Sequence, residues 1–179
     1  MQLGFIGLGI MGAPMCGHLI AAGHTLFVHT RSRVPSALAE AGAVECADAG
    51  EVATRADIVL LMLPDTLVLE AVLFGERGVA SGLAPGKTVV DMSSISPLAT
   101  KDFAARIAAL GGDYVDAPVS GGEVGAKAAS LTIMVGAGDA AFARVQPLLQ
   151  AMGKNITHVG GVGDGQTTKV ANQIIGALN

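Results

Sequence analysis

Aromatic side chains are scarce in this 179-residue chain: tryptophan is missing, tyrosine occurs once, and Phe, Trp and Tyr together make up 3%. A core without large rings must close around Ala, Val, Leu, Ile and Gly, a palette that suits thin parallel strands covered by Ala-rich helices. Charge is thin as well, 15% against 51% apolar residues, and that balance excludes a disordered chain. The eleven Lys and Arg form no basic stripe and the net charge is −4, so nucleic acid is not expected as a partner. Only two cysteines occur, Cys16 and Cys46. They make no CxxC pair and join no His/Cys cluster, which argues against a zinc site or any other metal and for a reducing compartment. His18, His24, His29 and His158 are scattered and receive no role. No apolar run is long enough to span a bilayer. Residues 3–12 are apolar but lack a preceding basic segment and are broken by glycine, so they do not read as a signal peptide. A cytoplasmic protein without membrane contact is expected.

What is present is a rhythm of strand, turn and helix. Gln2–Gly7 and Thr25–Thr30 read as strands around a helix closed by Gly23, and a helix over roughly 34–41 stops at Gly42. Asp48 and Glu51 mark another helix start, where carboxylates are favoured. Asp57–Leu63 is a continuous apolar run, as in a central parallel strand. Pro64-Asp65 breaks it and caps the next helix. Lys87–Met92 is a strand, and Ser96-Pro97 an N-cap with proline at the first helical position. Later come strands at Tyr114–Ala117, Leu131–Val135 and Asn155–Val159, a turn at Ser120–Gly122 and a helix over Asp139–Met152. A last helix from about Gly165 is still running at Asn179, which suggests a fragment of a longer protein.

Gly7-Leu8-Gly9-Ile10-Met11-Gly12 is a GxGxxG turn, directly after a strand and opening a helix. Its glycines allow the tight turn, a close approach of pyrophosphate to the backbone, and close helix–strand packing, while the helix N-terminus offers N–H groups to phosphates. Glycine-rich turns also arise for packing alone, but the surrounding βαβ pattern favours a dinucleotide. The expected fold is therefore α/β, a doubly wound Rossmann domain with a mostly parallel sheet and a mixed-direction extension. After the second strand, His29-Thr30-Arg31-Ser32-Arg33 contains no carboxylate for a ribose 2′-hydroxyl. Arg31 can pair with a 2′-phosphate and Thr30 or Ser32 can donate to it, so NADP(H) is favoured and NAD(H) remains open. Alternatively, Arg31 and Arg33 are solvated loop charges.

Two later segments concentrate polar groups. Ser120-Gly121-Gly122 presents a hydroxyl and unhindered N–H groups suited to a carboxylate, or is a plain turn. On the last helix Lys169, Asn172 and Gln173 share one face. Lys169 is either a surface lysine or a desolvated acid–base group whose pKa is lowered.

Together GFIGLGIMG, DMSS at 91–94, DAPVSGG at 116–122 and GDGQTTKVANQ at 163–173 resemble the β-hydroxyacid dehydrogenase family, in its order and spacing along the whole chain. The resemblance implies Lys169 as the catalytic lysine and Asn172 as its companion in orienting substrate. It implies Ser120, Gly121 and Gly122 as the grip on a substrate carboxylate. It also implies dinucleotide contacts from Gly7 to Gly12, Arg31, Leu63, Pro64 and Ser94. Ala171 stands where 6-phosphogluconate dehydrogenases carry histidine, which argues against that branch. Imine-reducing relatives replace the lysine that is present here. The implied activity is oxidoreduction of a small carboxylate, tartronate semialdehyde first and 3-hydroxyisobutyrate as the alternative. A dinucleotide-binding module without turnover is the reading if the fragment is native. Family members continue into a helical domain that completes the pocket and makes a homo-oligomer. Residues 1–162 are thus expected as the dinucleotide-binding domain and 163–179 as the start of an interdomain helix.

Overall fold

The computed structural model describes residues 1–178. The apolar segment Gln2–Ile6 is the first strand, β1, and Gly12–Ala21 the first helix, α1, which buries Met15, Cys16 and Leu19 at helical spacing. The chain continues through β2 (Thr25–His29), α2 (Ser36–Glu40), β3 (Val44–Glu45), α3 (Ala49–Arg55) and β4 (Ile58–Leu61). Next come α4 (Thr66–Phe74), α5 (Val79–Gly82), β5 (Thr88–Asp91), α6 (Pro97–Ala109) and β6 (Asp113–Asp116). The last part holds β7 (Val119–Ser120), α7 (Gly122–Lys127), β8 (Leu131–Gly136), α8 (Asp139–Gln150), β9 (Gly153–Gly160) and α9 (Asp164–Leu178). The expectation that the last helix is still running at Asn179 lies outside the described residues.

The strands form one sheet in the order β3-β2-β1-β4-β5-β6-β8-β7, with β9 beside β8. From β3 to β6 all pairings are parallel. β8 then runs antiparallel to β6 and β7, and β9 parallel to β8. Because Asp116 pairs with Gly136 and Val119 with Ile133, β6 and β7 share one edge of β8. This is the doubly wound fold with its mixed extension. Alternate residues of β1, β2, β4, β5 and β6 feed two cores: Ile58 and Leu60 face α1, α2, α7 and α8, while Val59 and Leu61 face α3, α4 and α6.

The chain leaves β1 toward β2 on one side and returns through β4 on the other. A crevice opens at such a switch point, beyond the carboxyl ends of the strands. Three helices beside it begin with side-chain caps, from Asp48 to Glu51 N–H, Asp65 to Val68 N–H and Ser96 to Ala99 N–H. α1 has no side-chain cap at Met11.

Candidate active site

A cleft of about 470 Å³ occupies the switch point. It is lined by the end of β1 with Gly7, Leu8 and Gly9, by His29, Thr30, Arg31 and Ser32 after β2, and by Met62, Leu63 and Pro64 after β4. Val68 and Val72 of α4 add an apolar wall. Gly7 has φ +97°, and a Cβ there would collide with the carbonyl oxygen of Met62, so the tight turn requires glycine. A Cβ on Gly12 would strike the Gly7 carbonyl. Gly9 differs from both. Its backbone is not in the positive-φ region, and an added Cβ would meet no protein atom within 4 Å. Neither conformation nor packing within the chain asks for glycine there, and the bare backbone is open to the close approach of a molecule outside the chain. With the uncapped start of α1, the turn presents bare backbone at a helix N-terminus, a geometry suited to a pyrophosphate. Ile10 is exposed and Met11 half-buried beside it. Leu8 N–H donates to Thr30 Oγ1 at 3.5 Å, tying the glycine turn to the end of β2, and Arg31 is exposed on the same rim. Sequence reasoning assigned nothing to His29, which borders the cleft with its Nδ1 3.1 Å from the Cys46 carbonyl oxygen.

Pro64 also borders a second cleft of about 340 Å³, formed by Asp65, Thr66, Ser94, Ile95, Ser96 and Pro97 against Gln166, Lys169, Val170 and Gln173 of α9. The two clefts therefore meet at Pro64. Lys169 is only 8% exposed, and loss of water lowers its pKa below the ordinary lysine value. Ser94 stands in the same cleft. Asn172 is exposed and does not line it, whereas Gln173, one turn beyond Lys169, does. Ser120, Gly121 and Gly122 border neither cleft. Ser120 ends β7, both glycines have positive φ, and the turn read at Ser120–Gly122 opens a helix, with Gly121 capping α7. α7 rests on α1, and His18 Nε2 lies 2.8 Å from the Ala126 carbonyl oxygen.

Beneath the second cleft lies a buried polar network that sequence reasoning did not assign. Asp116 is wholly buried and accepts hydrogen bonds from Gly163 N–H (2.7 Å) and Gln166 N–H (2.9 Å) at the start of α9. Burial pushes its carboxyl up, and those two donors pull it back. Asp91, its cross-strand neighbour in β5, accepts from Ser93 N–H (2.9 Å) and Tyr114 O–H (3.3 Å). Burial pushes Asp91 up to about 7. Ser93 Oγ accepts from Leu63 N–H at 2.9 Å. The loops after β4 and β5 are thereby joined to each other. DMSS and DAPVSGG contain these carboxylates, but the partners of Asp116 lie 47 and 50 positions away and Tyr114 lies 23 from Asp91.

The fold and the cleft at its switch point define a nicotinamide dinucleotide-binding domain, and residues 2–160 match the family described as the NAD binding domain of 6-phosphogluconate dehydrogenase. The chain belongs to that family and, within it, to the β-hydroxyacid dehydrogenases. It is 58% identical over 179 residues to the 2-hydroxy-3-oxopropionate reductase of Escherichia coli (strain K12), covering all of this chain and 61% of that protein. A Mycobacterium tuberculosis 3-hydroxyisobutyrate dehydrogenase, solved with L-serine, matches with a TM-score of 0.90 at 35% identity, over 97% of this chain and 59% of that one. A protein named Psf3, solved with NADP+ and 2-OPP, matches with a TM-score of 0.91 at 32% identity, over 97% and 62%. The chain thus spans about three fifths of the length of these relatives. No helix among the described residues is long and apolar enough to cross a membrane.

Proposed function

We propose that the chain is the dinucleotide-binding part of an enzyme that reduces 2-hydroxy-3-oxopropionate (tartronate semialdehyde) to D-glycerate, with NADP(H) the preferred cofactor. The observation that carries this reading is Lys169, nearly buried in a cleft that joins the dinucleotide cleft at Pro64. When bound, the reduced dinucleotide supplies a hydride for the carbonyl carbon. Lys169, as ammonium, gives a proton to the carbonyl oxygen as it becomes an alkoxide, and is left as a neutral amine that solvent reprotonates. In the oxidative direction the amine accepts the alcohol proton. The family resemblance assigns the substrate carboxylate to Ser120 and the Gly121 and Gly122 amides and the orientation of the substrate to Asn172, residues that line neither cleft of this chain. The turn Gly7 to Gly12 would hold the pyrophosphate, Thr30 and Arg31 the 2′-phosphate, and Leu63, Pro64 and Ser94 the nicotinamide end. Residues 163–179 begin the helix that leads to a further helical domain, through which the enzyme forms a homo-oligomer.

Similarity to 3-hydroxyisobutyrate dehydrogenases supports a second reading with the same chemistry on 3-hydroxyisobutyrate. Steady-state kinetics on the full-length protein separates the two. The first reading expects a higher kcat/KM for tartronate semialdehyde with NADPH than for 3-hydroxyisobutyrate with NADP+. The reverse order would reject it.

A further inference from the structure

Gln166 is wholly buried, yet it lies in the turn of α9 immediately before Lys169 and lines the same cleft. Both ends of its carboxamide are engaged: Nε2 donates to the Ser93 carbonyl at 2.7 Å and Oε1 accepts from Ile95 N–H at 3.1 Å. These are the backbone groups on either side of Ser94. Its own N–H is held by Asp116. One residue thus joins three segments: its side chain holds the segment 93–95 after β5 to the helix that carries Lys169, and its backbone N–H holds that helix to the end of β6. α9 is pressed into place at this point, since a Cβ on Gly165 would lie 2.6 Å from the Met134 carbonyl oxygen and 2.7 Å from Asp116 Oδ2. Ser93 passes the connection on to Leu63 N–H, on the wall of the dinucleotide cleft.

We propose that Gln166 is a positioning residue for the reduction. By gripping the peptide groups that flank Ser94, it fixes that segment against the helix bearing Lys169. A carboxamide is suited to this because it donates and accepts at once, as a peptide group does. Glutamate of the same shape accepts but cannot donate when ionised, and methionine fills the volume while doing neither. The proposal rests on the reading of Lys169 as proton donor. It concerns distance and orientation, to which turnover is steeply sensitive.

The test uses the full-length protein with Gln166→Met, Gln166→Glu and, as a parallel control, Lys169→Ala. Three quantities are read: the NADPH dissociation constant by nicotinamide fluorescence, amide hydrogen exchange at Ile95, and kcat and KM for tartronate semialdehyde. Both Gln166 variants are expected to bind NADPH as the unmodified protein does and to keep its KM, while kcat falls about a hundredfold. Gln166→Met is also expected to speed exchange at Ile95. Unchanged kcat alongside faster exchange would overturn the positioning role. So would a fall in NADPH affinity that accompanies the fall in kcat, or failure of both variants to fold, since either marks a merely structural glutamine. Retained turnover in Lys169→Ala would instead reject the proton-donor reading, while the Ile95 exchange still reports whether the grip exists.

Discussion

Asp91 has no access to water, and its pKa of about 7 sets a linkage between pH and stability. In the unfolded chain the same carboxyl titrates near the ordinary 3.8. Between those values the folded protein holds a proton that the unfolded chain has released, so this group's contribution to stability declines as pH rises from about 4 through 7. Asp91→Asn removes the ionisation. Urea unfolding at pH 4 and pH 8 should show the variant gaining on the unmodified protein by on the order of a few kcal/mol at the higher pH; a constant difference would show that Asp91 does not carry the linkage. Lys169 is shifted in the opposite direction, because burial disfavours its charge. Reduction needs its ammonium form and should decline as pH rises through the lowered pKa, whereas oxidation needs the amine and should increase over the same range. Paired pH profiles of kcat/KM check this, and limbs of the same sign would contradict it. At this scale the sequence showed which residue types were present but not their partners. Asp116 reaches N–H groups 47 and 50 positions further on, and Gln166 reaches a peptide 73 positions back. Such contacts leave no periodic trace.

Among the elements, those announced by local chemistry were legible and those held by long-range pairing were not. Asp48, Asp65 and Ser96 cap their helices as read, because a cap satisfies N–H groups only three residues away. β3 is two exposed residues paired to β2, too short for any alternation to register. α7 opens on Gly121 and Gly122, whose turn character concealed the helix behind them. The glycine turn shows how two glycines of one motif carry different loads. At Gly7 a side chain would collide with the Met62 carbonyl, while at Gly9 it would meet open space. Gly9→Val should therefore fold with nearly unchanged thermal stability but bind NADPH at least about a hundredfold more weakly, a loss of about 2.7 kcal/mol. Calorimetric titration beside a melting curve checks both halves. Unchanged affinity would remove the pyrophosphate from this turn.

Across the whole molecule, one sheet brings the glycine turn after β1, the Ser93–Ser94 segment after β5 and the start of α9 together at the carboxyl edge of its parallel strands. The fold class was readable because βαβ repetition and continuous apolar strands extend along the chain. The convergence of two clefts at Pro64 was not, since it depends on strand order. Among the described residues Lys169 is the only lysine or arginine lining the cleft that borders Ser94, and the account predicts that its ammonium completes the reduction. The most direct measurement is single-turnover oxidation of bound NADPH by tartronate semialdehyde in full-length Lys169→Ala, with NADPH affinity measured on the same preparation. The account predicts a rate lower by about 10²–10⁴-fold with affinity unchanged; a rate equal to that of the unmodified protein would contradict it.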